Sequence, residues 1–272
     1  TVLGFLRRRA RREGVSDGRR GAVAIIQRFG GALNLNVHVH ALVLDGVFAN
    51  DGCGVLSFHR TARLTGDDVA AVLATVERRV ARLLDRRGLA DSDEDCSAPD
   101  ACVEEAPVLA GIAAASVQGL VALGPRAGAR VRKLGDPPEE VEAAALGRCH
   151  ARRHGFDLHA GIVAPAGHRE RLERLCRYAL RPPVAQDRLR PTGDGQVLLE
   201  LRRRWTDGTT HLLFDPIELL ERLAALTPRP RINLILYHGA LAPRAVWRSL
   251  VVARGETVSA CDASAVETEP GQ

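Results

Sequence analysis

The sequence predicts an α+β fold, with a central antiparallel sheet flanked by helices and a smaller C-terminal α/β extension. Three observations carry that expectation. Residues 22–27 (AVAIIQ) and 37–44 (VHVHALVL) are apolar, β-branched runs joined by a nine-residue link containing Gly30 and Gly31, which suits two antiparallel neighbours. Residues 67–87 place Val69, Val72, Leu73, Val76, Val80, Leu83 and Leu84 at helical spacing behind Asp67 and Asp68, the pattern of an amphipathic helix. Residues 196–202 and 209–214 bracket Thr206-Asp207-Gly208 as a hairpin. A helix then runs from Asp215-Pro216 to Leu226, with Asp as N-cap and Pro at the first helical position.

Composition narrows the function classes. No run of 18 apolar residues occurs, so a membrane-spanning helix is excluded, and no secretory signal pattern is visible. Six cysteines are scattered without a CxxC pair in a chain of 272 residues, long enough to bury a core without staples, so reduced thiols in a bacterial cytoplasm are expected. The chain starts at Thr1 and contains no Met, which suggests a fragment or a processed chain. The charge of +5 and pI near 9.2 come almost wholly from arginine, since Lys133 is the only lysine. Arginine grips phosphates bidentately and stacks on bases, so the balance suits nucleic acid. A GC-rich genome produces the same bias, and only local clusters are therefore informative.

In chain order, residues 5–12 form a short basic helix or arm within an N-terminal region 1–20, and a Gly/Ser/Asp turn region follows. A core spans 21–185, with a further strand at 53–58. The acidic run 88–107 opens a loop or insertion extending to about 140, expected to be mobile, with a short helix over 108–122. Residues 156–163 read as a strand and 168–180 as a helix. The C-terminal extension covers 186–254, including an apolar strand at 231–237, and the tail from 255 reads as disordered.

The strand at 37–44 carries the chemistry. Alternation puts His38 and His40 on one face, roughly 7 Å apart, and imidazoles at that separation can converge on one divalent ion. Gln27 lies at the end of the partner strand and is a candidate third ligand, with Asp45 in the following turn as runner-up. In the 168–180 helix, Leu172, Leu175, Cys176 and Ala179 follow i, i+3, i+4, i+7 and form an expected buried stripe. Tyr178 falls at the border of that stripe, alongside Arg171 and Arg174, and Arg181-Pro182-Pro183 ends the helix. Cys149, His150, His154 and His159 form a second candidate metal cluster, for zinc, but without a recognised ligand spacing. Tyr237 reads as a packing residue at a strand end.

With these residues in place, the sequence resembles the HUH-type rolling-circle transposases of the IS-ninety-one insertion-sequence group. The matching blocks are VAIIQRFGGALNLNVHVHALVLDGVF (23–48), GFDLHAGI (155–162), LERLCRYALRPP (172–183) and WTDGTTHLLFDPIELLERLAALTPRPRINLILYHGALAP (205–243). The resemblance implies an HUH-nuclease core and a DNA transposase that nicks and rejoins single-stranded DNA. It puts His38 and His40 in the role of ligands to Mg²⁺ or Mn²⁺, and Tyr178 in that of the nucleophile forming a 5′-phosphotyrosine. Arg171, Arg174 and Arg181 would hold the DNA backbone. Many members carry a second tyrosine four residues earlier, whereas position 174 here is Arg, which favours a single nucleophile. Members also tend to begin with a cysteine-rich zinc module, which this chain does not show. The expected partners are single-stranded transposon and target DNA in the nucleoid, with a second copy of the chain if two ends are exchanged at once. The rival readings are an inactive remnant that only binds single-stranded DNA, and a zinc hydrolase built on His150, His154 and His159.

Overall fold

A computed structural model describes residues 1–50, 55–89, 101–135 and 149–252. It is a mixed α+β structure whose strand pairs are all antiparallel. Helix α1 (Val2–Arg12) is followed by strands β1 (Gly21–Phe29), β2 (Leu35–Val43), β3 (Gly46–Asn50) and β4 (Leu56–Arg60) and by helix α2 (Gly66–Arg86). Helices α3 (Ala101–Glu105) and α4 (Pro107–Gln118) lead to β5 (Arg132–Gly135), β6 (His150–Arg153) and β7 (Phe156–His159). Then come α5 (Arg169–Ala179), β8 (Leu189–Pro191), β9 (Val197–Glu200), β10 (Thr209–Phe214), α6 (Pro216–Leu226) and β11 (Ile235–Gly239). No helix among the described residues is long and apolar enough to cross a membrane.

The sheet that matters for the site has the order β11-β1-β2. The link between β1 and β2 closes through Gly30 N–H on the Asn34 carbonyl, and its length sets the register so that Gln27 faces His38 and Ile25 faces His40. A second sheet, β5-β10-β9-β8, packs its apolar residues with the end of β1 and with α6. Phe29, Leu33, Leu199, Leu212, Phe214 and Leu226 form that core, and burial of apolar surface on this scale is the main force holding β1 against the second sheet. Helix α6 starts with a reciprocal capping box between Asp215 and Glu218, as its Asp-Pro start foretold.

Several expectations need correction. Thr65, not Asp67 or Asp68, caps α2, with Asp68 completing the box; Leu83 and Leu84 are exposed because the helix runs past its support beyond Val80. Of the strand expected at 53–58, residues 53 and 54 lie outside the described residues; β4 (Leu56–Arg60) takes up the rest and pairs with β3, a strand that the sequence did not signal. Within the insertion expected at 88–140, the helix expected over 108–122 is present as α4, but α3 and β5 also form there; β5 pairs with β10, and buried Arg222 of α6 donates to the Ser116 and Leu120 carbonyls at the end of α4. The rest of that insertion lies outside the described residues, as does the tail expected to be disordered. The strand expected at 231–237 within the C-terminal extension is observed as β11 at Ile235–Gly239, and it completes the sheet of β1 and β2. Gly239 makes this junction possible: its φ of +62° and a Cβ position 1.9 Å from the Arg20 carbonyl oxygen exclude any larger residue.

Candidate active site

Gln27, His38 and His40 share one face of the β1–β2 pair, as alternation and register require. Gln27 is 4% exposed and its amide nitrogen donates to the Ala179 carbonyl at 2.6 Å and to that of Tyr178 at 3.4 Å. Both carbonyls are orphans of the last turn of α5, which have no intrahelical donor. One side chain therefore seats the end of α5 on the sheet, and that anchoring aims the other amide atom, Oε1, at His40, whose Nε2–H donates to it at 3.2 Å. The His38 and His40 ring centroids are 5.0 Å apart. His38 Nδ1 lies 2.9 Å from the Asn36 carbonyl and donates to it, which leaves Nε2 as the free lone pair.

These donors fit a hard divalent cation. A cation replacing the proton of this hydrogen bond would meet Gln27 Oε1 and His40 Nε2 3.2 Å apart, near the roughly 3.0 Å between adjacent ligands of an octahedral ion with bonds of about 2.1 Å. The donor set is two imidazoles and one amide oxygen; no group of three or more His, Cys, Asp and Glu suited to a metal occurs among the described residues. Asp45 is engaged elsewhere, with Oδ2 accepting two bonds from the Arg60 guanidinium at 3.0 and 2.9 Å. Burial, reinforced by the neighbouring charges of His38 and Arg181, holds the His40 imidazole below the ordinary histidine range, which keeps it neutral and able to ligate.

The same anchoring brings Tyr178 to the His pair. Its ring centroid is 5.4 Å from that of His40, edge to face, and the residue is half exposed. The Arg181 guanidinium lies 4.5 Å from the Tyr178 ring centroid and 5.7 Å from that of Phe29, so it is stacked between the two rings. Arg171 and Arg174 are exposed on the Tyr178 side of α5, seven and four residues before it. The expected buried stripe of α5 is observed only in part: Ala179 is buried and Leu175 and Cys176 are half-buried, but Leu172 is 46% exposed, because the helix is held at its last turns rather than along its length. Phe29 and Arg188 escaped sequence reading. Phe29 follows Gln27 by two on an alternating strand, a usable signal. Arg188, lowered in pKa by burial and then by Arg202 and Arg181, extends the basic ground toward β9, and only the density of arginines at 188–204 hinted at it.

The candidate zinc cluster does not assemble. His150 pairs with Asp157 at 2.7 Å, His154 with Glu77 at 2.6 Å, and the Cys149 thiol donates to the Leu64 carbonyl at 3.2 Å. His159 faces His150 across β6–β7, ring centroids 5.6 Å apart, without a third ligand.

With this geometry in hand, comparison with known proteins gives one match. A family model described as "Putative transposase" covers residues 21–248, from the start of β1 to beyond β11. The chain belongs to this transposase family. The match takes in the His strand, α5 and β11, so every residue of the candidate site lies within the transposase region. Comparison with curated proteins and with solved structures gives no match.

If Gln27 supplies a third donor beside His38 and His40 as well as anchoring α5, Gln27→Ala should weaken Mn²⁺ binding by about 10-fold or more, within the range seen for groups that orient metal ligands. Titration calorimetry reads this directly. An unchanged affinity, with loss in Asp45→Ala, would transfer the ligand role to Asp45.

Proposed function

We propose that this transposase is an HUH-type enzyme that nicks and rejoins single-stranded DNA through a covalent 5′-phosphotyrosine on Tyr178. The single observation that carries the reading is the cluster of His38, His40 and Tyr178, with the His40 ring 5.0 Å from that of His38 and 5.4 Å from that of Tyr178 and hydrogen-bonded to Gln27. His38, His40 and Gln27 would hold Mg²⁺ or Mn²⁺, which when bound polarises the scissile phosphate. Tyr178 is the nucleophile: its Oη forms a bond to phosphorus, the bond from phosphorus to the 3′ oxygen breaks, and the phenolic proton is given up as the leaving 3′ oxygen takes one. A 3′ hydroxyl attacking the phosphotyrosine reverses the step and rejoins the strand, so no external energy source is needed. Arg181, fixed between Phe29 and Tyr178, is placed to pair with a phosphate oxygen, and Arg171 and Arg174 extend the contact along the backbone.

The experiment is a metal-dependent nicking assay on single-stranded DNA carrying the transposon end, run on a denaturing gel. Cleavage with Mn²⁺ and none with EDTA supports the enzyme. Binding without cleavage in either condition would leave only the DNA-binding remnant. Backbone contact has its own readout: Arg171→Ala with Arg174→Ala should flatten the slope of log affinity against log salt by about 1.4, at roughly 0.7 per phosphate contact on a single strand. An unchanged slope would place the DNA away from α5.

A further inference from the structure

Resting on the single-strand transposase reading, we infer that Tyr237 and Arg248 form a nucleobase-stacking subsite beside the catalytic site. Tyr237 pairs with Val23 on β1, and Val23 pairs with Leu42 on β2, so all three side chains project from one face of the sheet. Gln27 and His40 lie on that same face, at even spacings from Val23 and Leu42 with no register shift between them. Strand spacing places the Tyr237 Cα about 12 Å from that of His40: two strands across and two residues along. That is one strand further from the His pair than β1 and on the side away from α5. It suits a base belonging to a neighbouring nucleotide.

The chemistry of the subsite is a planar π-face with a cation on it. Tyr237 is 45% exposed, which is not the environment of a core residue. The Arg248 guanidinium lies 5.5 Å from its ring centroid, and Arg248 Nη1 is tied to the Leu241 carbonyl, which fixes its position. The turn at Gly239 brings this segment back over the sheet, and Trp247 packs with Phe48, Leu56 and Ala240 to hold it there. An aromatic ring with a fixed guanidinium is the arrangement by which proteins stack single-stranded bases without reading their identity. A duplex does not offer an unstacked base, so the subsite selects single strands.

The test uses a fluorescent oligo(dT) 20-mer, Mn²⁺-free buffer and the full chain. Tyr237→Ala should weaken binding about tenfold, within the range for one base on one aromatic ring, while Tyr237→Trp and Tyr237→Phe should bind as the wild type does. Photocrosslinking of the wild-type chain to the same oligonucleotide carrying 5-iododeoxyuridine should map to the peptide containing Tyr237, which reads the contact without any substitution. Unchanged affinity in Tyr237→Ala, or crosslinks mapping only elsewhere, overturns the subsite while the nicking assay still stands. Failure of the wild-type chain to bind the oligonucleotide overturns the single-strand reading itself. Loss of the covalent adduct in Tyr237→Phe with normal binding would make Tyr237 a nucleophile instead.

Discussion

Tyr178→Phe should form no covalent adduct with 3′-labelled single-stranded DNA in the presence of Mn²⁺, while Tyr237→Phe should still form one. Removal of one oxygen deletes the nucleophile and leaves the ring, so the contacts to His40 and Arg181 persist and DNA affinity should be unchanged. Tyr178 is selected by position. Gln27 fixes the last turn of α5 to the sheet through the Tyr178 and Ala179 carbonyls, which holds the Cα of the nucleophile while half of the residue stays in solvent. Positioning of this kind removes a large share of the entropic barrier to attack. Because position 174 is Arg, each chain would offer, on the proposed mechanism, one nucleophile near the His pair and should hold one DNA end at a time. Exchange of two ends then needs a second chain or sequential reuse of Tyr178. A denaturing gel decides the matter: adduct in Tyr178→Phe, or its loss only in Tyr237→Phe, would overturn the assignment.

The parts of this site that sequence reading reached are those set by local rules. Alternation alone placed His38 and His40 on one face, and antiparallel pairing brought Gln27 near them; the register that sets Gln27 opposite His38 is seen only in the structure. Pro182 and Pro183 fixed where α5 must stop, and hence that Tyr178 lies in its last turn. Long-range pairing left no such mark. Nothing local in ILYHG says that it joins β1 rather than the β9–β10 hairpin beside it in sequence, so Tyr237 read as a packing residue. Amphipathic spacing also overstates burial: it shows which side of α2 or α5 faces the protein, not how far the protein extends beneath it. Leu83, Leu84 and Leu172 are exposed for that reason. The His150 cluster shows the converse, where proximity in sequence suggested a zinc site and separate acidic partners, Asp157 and Glu77, dispersed it.

His38→Ala and His40→Ala should each abolish metal-dependent cleavage while leaving the fold intact. Two of the three proposed protein donors are imidazoles, and loss of either would leave a cation with too few fixed ligands to compete with its own hydration, since Mg²⁺ dehydrates reluctantly. Both side chains are only partly buried and neither belongs to the apolar core, so the circular dichroism spectrum should not change. The pH dependence has a definite sign. A proton and a cation compete for the same lone pair, and the neutral imidazole prevails above its pKa. Because burial lowers the pKa of His40 from its ordinary value, its ligating form persists as pH falls through about 6.5, where a free histidine would be half protonated. Mn²⁺ affinity followed by calorimetry should therefore decline between pH 7.5 and 6 by less than two ordinary histidines would impose. A decline steeper than that, or wild-type cleavage by either variant, would remove the His pair from the metal site.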